Sequence, residues 1–423
     1  MVREMKHTEI GDIPVDWELQ TFEETFRVLS NNTLSRENLN NRGGAVRNIH
    51  YGDILTKFPE VLDCSKEEIP YINDLSLLTS STQLLQDGDI VIADTAEDET
   101  VGKVIEVQNL GEEKLVAGLH TIPCRVKKGD FAPGWLGYYM NSQLFHSQIL
   151  PYVTGIKVSS ISKSAIAETL ILVPPKGEQK MIIDILNDIE RELHYGNKLV
   201  KKKEAIRQGM YQSLVTGRLR LNGYYKKWKY KTIGSMTTVS SGGTPSTINP
   251  EYWGGNIPWM NSGELNLKIV NNVEGRITET GLSNSSTHWI PAYCTLIGLA
   301  GQGKTRGTAA YNTIKLCTNQ SIAAIYPNEK EFDAKFLYYL MNTQYEQLRE
   351  LSSGGGGRGG LTKKLIEDFL VYMPEDISEQ TAIAEILTDI DEEIRCLKET
   401  LQKNNNLKKG IVSELVERKR QLV

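Results

Sequence analysis

Residues 179–220 read QKMIIDILNDIERELHYGNKLVKKKEAIRQGMYQSLVTGRLR, and this stretch decides the architecture of the chain. Its apolar residues recur with alternating spacings of four and three, the pattern of a coiled-coil seam. The seam residues of this stretch are Ile182, Leu186, Ile189, Leu193 and Val200. The same register returns in residues 380–420 at Ile383, Leu387, Ile390 and Ile394. The sequence therefore predicts two long helices with equivalent apolar faces.

Polar residues interrupt both seams at matching positions: Lys203 and Arg207 in the first, Asn404 and Lys408 in the second. Each seam is about 50 Å long at a rise of ~1.5 Å per residue, which is more than a small domain can cover. We therefore expect the two helices to pack on each other in antiparallel orientation, because two independent surface helices would share a register only by coincidence. The polar residues either fix the register of this pairing or dock another subunit.

The whole chain is a tandem duplication. With an offset of 201, residues 131–143 match residues 332–344, and the offset returns along the two predicted helices. The first 130 residues of each repeat diverge after an entry tryptophan, Trp17 or Trp228. A constant scaffold with one variable part is typical of two recognition modules for two targets. We divide the chain into a first domain at 1–177, a first helix at 178–220, a second domain at 221–377 and a second helix at 378–423.

Short runs of β-type residues separated by glycine, proline, asparagine and serine fill both domains, which favours a β-rich core. The clearest runs are 89–93, 103–107, 295–299 and 321–326, and helices are predicted over 135–150 and 335–351. The expected fold class is α+β: two β-rich mixed α/β domains in tandem, separated by two long antiparallel helices.

Composition limits the cellular setting. The 423 residues contain no run of apolar residues long enough to span a membrane, and the first residues lack the apolar core of a signal peptide. A cytoplasmic protein without a membrane partner is expected. Five cysteines are scattered without CxxC spacing, which argues against a disulfide framework and a zinc site. We interpret them as reduced, structural thiols.

The whole chain has a net charge of -5, but one segment of it is basic. Residues 178–231 carry 13 basic and six acidic residues and end in YYKKWKYK at 224–231. Lysines interleaved with aromatic residues are typical of a phosphate-contacting surface, and equally of a solvated helix end followed by a linker. Composition does not decide between the two.

Residues 298–305, GLAGQGKT, match the spacing of a nucleotide-binding phosphate loop. Such a loop requires a helix directly after it, whereas the glycine and threonines after Thr305 predict a hairpin. We therefore interpret Lys304 and Arg306 as contacts to DNA phosphate or guanine. Arg358, in the glycine-rich run 353–360, either reaches a phosphate or belongs to a plain loop.

Several motifs resemble the specificity subunit of type I restriction-modification systems, and the resemblance covers essentially the whole chain. They are EIGDIPVDW at 9–17, NIHYGDI at 48–54, AGLHT at 117–121, KVSSISK at 157–163, GMYQSLVTGR at 209–218, SGGTPS at 241–246 and YWGGNIPWMN at 252–261. The second helix departs from the pattern because it lacks the Thr-Gly-Arg ending of the first.

The resemblance implies two target-recognition domains, each reading one half of a split, asymmetric site in double-stranded DNA. The helices would act as a spacer and dock two modification subunits, which bring S-adenosylmethionine and methylate adenine N6. Restriction subunits would join for ATP-driven cleavage, and Mg²⁺ is implied as a further cofactor of the partner subunits. The chain itself would hold no cofactor or metal and catalyse nothing.

Loops rich in Arg, Asn, Ser and Thr offer side chains suited to base edges and phosphates. The candidate DNA contacts are Arg36, Arg47, His50, Lys57, Ser241, Thr244, Asn256, Asn261, Lys304, Arg306 and Arg358. The seam residues named above, apart from Val200, together with the four polar residues are the candidates for spacing and docking. Two other functions stay open: a P-loop-like nucleotide-dependent enzyme, and a coiled-coil assembly scaffold without DNA readout.

Overall fold

The computed structural model describes residues 4–155, 157–301, 304–353 and 360–416. The chain forms two compact units. Unit 1 consists of Met1–Gly196 and Thr400–Val423, and unit 2 of Asn197–Glu399. Both long helices cross this division, so each unit holds one globular domain and a part of each helix. No helix in the described ranges is both long and apolar enough to cross a membrane.

Unit 1 is a mixed α/β domain of short strands and short helices. Its strands are β1 (Met5–Thr8), β2 (Gly11–Pro14), β3 (Glu18–Thr21), β4 (Phe26–Val28), β5 (Leu39–Asn40), β6 (Arg47–Ile49), β7 (Val61–Asp63), β8 (Tyr71–Ile72), β9 (Ile90–Ala93), β10 (Thr95–Ala96), β11 (Val104–Gln108), β12 (Leu115–Ala117), β13 (Thr121–Val126), β14 (Ser159–Ser160) and β15 (Leu170–Val173). Its helices are α1 (Phe22–Thr25), α2 (Tyr51–Thr56), α3 (Trp135–Met140), α4 (Gln143–Ile149), α5 (Lys163–Ala167) and the first part of α6 (Lys176–Leu214).

The central sheet of unit 1 has the strand order β4-β13-β9-β11-β7. Its neighbours are antiparallel except β11 and β7, which run parallel. A second sheet has the order β12-β6-β8-β5, and β3 pairs with β15 beside the start of α6. One face of the central sheet is covered by α3 and α4, where Trp17, Trp135 and Tyr139 are fully buried.

Unit 2 repeats this architecture. Its strands are β16 (Trp228–Thr232), β17 (Val239–Ser241), β18 (Trp253–Met260), β19 (Ile269–Val270), β20 (Arg276–Ile277), β21 (Thr295–Gly298), β22 (Ala309–Asn312), β23 (Cys317–Thr318), β24 (Ile322–Ile325) and β25 (Leu370–Pro374). Its helices are α7 (Ile233–Met236), α8 (Glu279–Ser283), α9 (Ala334–Thr343), α10 (Tyr345–Ser353), α11 (Lys363–Glu367) and the first part of α12 (Ile377–Ile411).

The central sheets of the two units have the same strand order and directions, whereas the second sheet has four strands in unit 1 and three, β20-β18-β23, in unit 2. The central sheet runs β17-β24-β21-β22-β19, again with a single parallel pair at its end. In the second sheet, β18 pairs parallel with β23 and antiparallel with β20, just as β6 pairs with β12 and β8. The divergent parts of the two repeats therefore share one fold, which their side chains do not reveal.

The predicted fold class is confirmed, and the four predicted β-type runs are strands β9, β11, β21 and β24. The two helices predicted over 135–150 and 335–351 were wrong in extent, because each is two helices. In unit 1 the break falls at Asn141 and Ser142. The Asn141 amide bonds both backbone groups of Val104, and the Ser142 hydroxyl accepts from the N–H of Phe145 to start α4. These side-chain bonds replace helical ones.

The first turns of the long helices pack in the domain cores. Ile182 and Leu186 are buried with the unit 1 core, and Ile383 and Leu387 with the unit 2 core. These four residues therefore pack inside the domains, and they do not belong to a seam formed only by the two helices. Of the remaining seam residues, Ile394 and Val200 are buried, and Ile189, Leu193 and Ile390 are half-buried.

Beyond these first turns, the helix segments pair within each unit. In unit 1, Lys408 lies between the carboxylates of Glu60 and Glu190. In unit 2, Lys203 pairs with Glu393 at 2.7 Å and Arg207 with Asp391 at 3.2 Å. Asn404 is half-buried.

In both units the residue numbers rise on one helix and fall on the other, as in an antiparallel pair. Three of the four polar seam residues thus hold helix-to-helix ion pairs, which favours a role in the register. Docking of another subunit by these helices stays a prediction.

Helix α6 ends at Leu214, short of the predicted segment limit at 220. Gly217 has a φ of 73° and donates its N–H to the carbonyl of Leu214, which turns the chain back. A Cβ at this glycine would touch the ring of Trp228. Only a glycine easily accommodates both the positive φ and the close approach of Trp228.

The end of the second segment, residues 417–423, lies outside the described residues, and the four domain boundaries stay predictions.

Candidate nucleic-acid interface

A tight turn at the same place in each unit organises the candidate site. In unit 1 it is residues 118–120, between β12 and β13. The N–H of Gly118 donates to the carbonyl of Ile49 at 2.9 Å, and the N–H of Asp94 donates to the carbonyl of His120 at 3.1 Å. The turn thus joins the start of α2 to the loop that follows β9.

The turn of unit 2, residues 319–321, makes the equivalent bonds. The N–H of Asn319 donates to the carbonyl of Met260 at 3.1 Å, and the N–H of Leu299 donates to the carbonyl of Ser321 at 2.8 Å. We call the exposed side of these three segments the junction surface. It comprises residues 50–51, 94–95 and 118–120 in unit 1, and 261–262, 299–300 and 319–321 in unit 2.

In unit 1 the junction surface carries a row of three rings. His50 stacks on Tyr51 with ring centroids 4.7 Å apart, and the ring of His120 meets Tyr51 edge-on at 5.3 Å. His120 Nδ1 lies 3.2 Å from the Thr95 hydroxyl and 3.4 Å from a carboxylate oxygen of Asp94. His120 is the exposed member of this row, and its ring nitrogens are groups that can hydrogen-bond to base edges, whereas His50 is buried.

His50 itself acts as a helix cap. Its Nδ1 accepts from the N–H of Gly52 at 3.1 Å, and the residue is 8% exposed. Burial lowers the pKa of His50, as do the positive charge of Arg36 and the neighbouring His120, while Asp53 opposes the shift. The lowered pKa keeps the ring neutral, which a cap that accepts a hydrogen bond requires.

Of the other unit 1 candidates, Arg36 lies nearest the junction surface. Its side chain is 52% exposed, and its guanidinium binds both carboxylate oxygens of Asp53, at 2.9 and 2.7 Å. The N–H of Asp53 in turn donates to the carbonyl of His50. Arg36 therefore faces solvent with its charge already paired, and it would need to exchange or share this partner to hold a phosphate.

Arg47 and Lys57 lie apart from the junction surface. Arg47, at the start of β6, binds the carbonyl of Cys64 and the carboxylate of Glu113, and its guanidinium lies over the ring of Tyr71 at 5.5 Å. Lys57 donates to the carbonyl of Glu68. The structure thus brings His50 and Arg36 together but not Arg47 or Lys57.

In unit 2, Asn261 occupies the position equivalent to His50 and also acts as a helix cap. Its side-chain oxygen accepts from the N–H of Gly263 at 2.8 Å and caps the short helical turn Ser262–Leu267. Thr244 donates to the side chain of Gln320 at 2.6 Å, which attaches the segment after β17 to the junction surface.

Of the other two candidates in this part of unit 2, Ser241 lies near the turn at residues 319–321 and Asn256 lies away from it. Ser241, at the end of β17, is half-buried close to the turn, since the N–H of Gly243 donates to the carbonyl of Thr318. Asn256 is exposed in the first half of β18, away from the turn at the end of that strand.

The loop with the phosphate-loop spacing joins β21 to β22, which pair antiparallel. No helix follows Thr305, so the predicted hairpin is confirmed and the nucleotide-dependent enzyme is not favoured. Lys304 is exposed, and Arg306 donates to the hydroxyl of Ser352 at 3.1 Å. Gln302 and Gly303 of this loop, and the candidate Arg358, lie outside the described residues.

The corresponding loop of unit 1 has the opposite charge. The N–H of Gly102 donates to the carbonyl of Ala93, as that of Gly307 does to Gly298, so residues 94–101 correspond to residues 299–306. The unit 1 loop reads DTAEDETV. If this loop contacts DNA phosphates, it does so in the second domain only, because carboxylates are repelled by phosphates.

The lysines of residues 224–231 are largely neutralised within unit 2. Lys226 pairs with Asp376, Lys229 with Glu375 and Lys231 with Glu331. Trp228 and Tyr230 lie on β16, which pairs with β25, whereas Tyr224 and Tyr225 precede this strand and Tyr225 is exposed. This arrangement favours the structural interpretation of the basic stretch over the phosphate-contacting one.

Sequence reasoning missed Tyr51, Asp94, Thr95 and His120. Residues 117–121 carried part of the family resemblance, but nothing in the sequence placed them beside residues 50–51. One signal was available: Gly52-Asp53 and Gly263-Glu264 follow the two caps at a constant offset of 211, the offset that also relates Trp17 to Trp228.

Comparison with known proteins follows the same two repeats. The family model described as the type I restriction modification DNA specificity domain matches residues 14–201 and again residues 225–408, which together are most of the chain. The chain belongs to the type I restriction-modification DNA specificity family. The family model matches the chain twice, once for each repeat, which agrees with the duplicated central sheets.

Two relatives illustrate the likeness. The putative type I restriction enzyme MjaX specificity subunit of Methanocaldococcus jannaschii is 24% identical over 97% of this chain and 95% of its own length. The type I restriction enzyme EcoR124I/EcoR124II specificity subunit of Escherichia coli is 24% identical over 69% of this chain and 66% of its own length. The family role is to determine DNA sequence specificity, and the chain has this role.

Solved structures share the fold. The S subunit of a type I restriction-modification system from M. genitalium superposes with a TM-score of 0.58 at 16% identity, covering 94% of this chain and 96% of that one. A chain from a study of complex assembly in the type I R-M system gives a TM-score of 0.57 at 14% identity, covering 95% and 98%. The individual DNA contacts named from the sequence stay predictions.

Proposed function

We propose that the chain reads a split, asymmetric site in double-stranded DNA, one half with each domain. The observation that supports this most directly is the junction surface. Both domains place it on the same backbone framework, yet its side chains differ: His50, Tyr51 and His120 in the first domain, and Asn261, Ser262 and Ser321 in the second. One framework with two sets of polar groups is suited to two different half-sites.

We further propose that the long helices set the separation of the half-sites and dock two modification subunits, with restriction subunits joining the complex. Specificity subunits of this family are in general non-catalytic. Under the proposal this chain holds no cofactor, and S-adenosylmethionine, Mg²⁺ and ATP are bound by the partner subunits. Adenine N6 methylation and ATP-driven cleavage are then partner activities directed by this chain.

The proposal is tested by mapping N6-methyladenine across the genome of cells that express the chain with its modification subunits. We expect a bipartite motif with an unread gap, which disappears when the gene for this chain is deleted. A methylation pattern that is unchanged by the deletion contradicts the proposal. A chain that merely assembles its partners would leave the complex intact without sequence-selective DNA binding, which a competition assay with random duplexes detects.

Independent reading by two domains has its own test within the same assay. Replacing Gln320 by alanine removes the partner of Thr244 in the second domain only. We expect changed base preference in one half of the motif while the other half is kept. A change in both halves would show that the domains do not read separately.

A further inference from the structure

His120 has an unusual backbone conformation. Its φ is 56°, in the left-handed region, which residues with a Cβ adopt at a cost of about 1 kcal/mol or more. The corresponding residue of the second repeat, Ser321, does not share this positive φ. Glycine or asparagine would adopt this conformation with less strain. A strained residue at a recognition surface is a reason to ask what its side chain does there.

The ring of His120 is oriented by its neighbours on the junction surface. The Thr95 hydroxyl donates its hydrogen to Asp94 at 2.7 Å, so toward His120 the same hydroxyl can only accept. Nδ1 of His120, 3.2 Å away, must therefore carry the hydrogen and donate. The nearby carboxylate of Asp94 favours the same tautomer, and the Tyr51 ring packs against the imidazole with ring centroids 5.3 Å apart.

This arrangement decides the chemistry of the other ring nitrogen. In a neutral imidazole whose Nδ1 donates, Nε2 is an acceptor. The side chain of His120 is 45% exposed, and within the described residues nothing bonds its Nε2. Phosphate oxygens are acceptors and cannot satisfy such a nitrogen. The groups of DNA that can donate to it in the major groove are the exocyclic amines, N6 of adenine and N4 of cytosine.

We propose that His120 is a specificity-determining residue of the first domain, whose Nε2 accepts a hydrogen bond from an adenine or cytosine amino group in the major groove. Asp94 and Thr95 are positioning residues that fix the tautomer. The inference rests on the proposed function, because it needs the first domain to read a half-site. The second repeat carries Leu299, Ala300 and Ser321 at these positions and so lacks the device.

The deciding experiment pairs a change in the protein with a change in the DNA. Once methylation mapping has given the motif, single adenines or cytosines of each half-site are replaced by analogues that lack the exocyclic amine. Affinity is measured for the chain in complex with its modification subunits. We expect one amine deletion in one half-site to weaken the wild-type complex about 10-fold more than it weakens the His120→Ala complex. Loss of base pairing affects both proteins equally, so the cycle isolates the contact.

Two further variants separate recognition from folding. His120→Gly and His120→Asn relieve the backbone strain, so their thermal midpoints should equal or exceed that of the wild type while affinity for the cognate site falls about 10-fold. The matched control is His7→Ala, since His7 also pairs with a carboxylate, Asp12, but lies on the β1-β2 hairpin. This control should bind like the wild type.

The outcomes are distinct. A wild-type complex without a bipartite motif refutes the proposed function itself. A wild-type complex that reads its motif, with equal penalties for each amine deletion in wild type and His120→Ala, refutes the role of His120 alone. Uniform weakening of His120→Ala on all duplexes with a smaller salt dependence would indicate a phosphate contact and also overturn the inference.

Discussion

At the scale of single residues, the candidate DNA contacts differ in how free their side chains are. His50 and Asn261 were both chosen for their polar groups. In each, the acceptor atom, Nδ1 or Oδ1, already accepts a backbone N–H as a helix cap at the same position of its repeat. Lys304 is exposed on a loop, whereas Arg36 and Arg47 have carboxylate partners. The candidate DNA contacts were chosen by residue type alone. Burial and hydrogen bonding now separate the side chains that are free to contact DNA from those that already have partners within the protein.

The cap formed by His50 should make the first domain sensitive to acid. Its folded pKa lies below its ordinary value of 6.5, so the unfolded state takes up a proton first and stability is lost as the pH falls below about 6.5. Replacing His50 with asparagine, the cap of the second repeat, should keep stability at pH 8 and remove this part of the loss at pH 5.5. Thermal midpoints across this pH range provide the measurement. An identical acid response in both proteins would contradict the assignment.

Lys304→Ala should weaken binding to the second half-site only. The loss should be nearly uniform across base sequences there, and the salt dependence of the binding constant should fall by about one charge, because a phosphate contact carries no base information. Lys226→Ala is the matched control, since this lysine is paired with Asp376. Binding titrations at several salt concentrations decide the matter. Equal effects of the two variants would exclude a phosphate contact by Lys304.

The cysteines also divide by environment, which corrects the interpretation of all five as structural. Burial raises the pKa of Cys64 and Cys317 to about 11 and of Cys124 and Cys294 to about 12, whereas Cys396 is exposed on α12. We expect iodoacetamide at neutral pH to modify native protein at Cys396 alone, and Cys396→Ser to remove this reaction. Mass spectrometry of the modified peptides tests it. Rapid modification of a buried thiol would contradict the packing.

At the scale of elements, the long helices combine two kinds of contact. Their first turns belong to the domain cores, and an entry tryptophan is tied to each: Trp17 donates to Glu178 at 2.9 Å, and Trp228 to Glu379 at 3.4 Å. Farther along, ion pairs and close packing join the helix segments. This is why the repeat is most similar in sequence at the entries and along the helices.

Two glycines of α6 should respond in different ways to alanine. Nothing approaches the position of a Cβ at Gly209, whereas a Cβ at Gly196 would collide with the side chain of Leu401. Gly209→Ala should therefore raise the free energy of unfolding by about 1 kcal/mol through helix propensity. At Gly196 the displacement of Leu401 should cancel much of this gain. Denaturant unfolding compares the two variants, and equal gains would show that Leu401 does not pack against Gly196.

At the scale of the whole molecule, helix length becomes a functional quantity. Helix α6 has 39 residues and α12 has 35. Family membership and the proposed function give these lengths a meaning, since the unread gap of a split site needs a spacer. The ion pairs between the helix segments restrict their register, so any change of length must be made in both helices together.

Deleting one matched heptad from each helix should shorten the unread gap of the methylation motif. Seven residues correspond to about 10 Å of helix, or about three base pairs at ~3.4 Å each. A heptad is chosen because it preserves the apolar register. Methylation mapping of cells with the shortened chain gives the new motif. A single-helix deletion is the control and should impair the complex, while an unaltered gap in the matched deletion would refute the spacer role.

The sequence by itself determined the duplication, the two long helices and the β-rich class of the domains. These follow from local periodicity and from side chains compared at a constant offset, as with Ile182 and Ile383. It also argued against a nucleotide-binding loop at residues 298–305, because the residues after Thr305 do not favour a helix, but it left the nucleotide-dependent enzyme open as an alternative.

Only the tertiary structure decided that the two divergent domains have one sheet order, and that Tyr51, Asp94 and His120 meet. The physical reason is that sheets are joined by backbone hydrogen bonds, which almost any side chain permits. The pairing of Gly118 with Ile49 in one repeat, and of Asn319 with Met260 in the other, leaves no common side-chain pattern. Contacts between residues distant in the chain are therefore invisible to periodicity, and the recognition surface is built from such contacts.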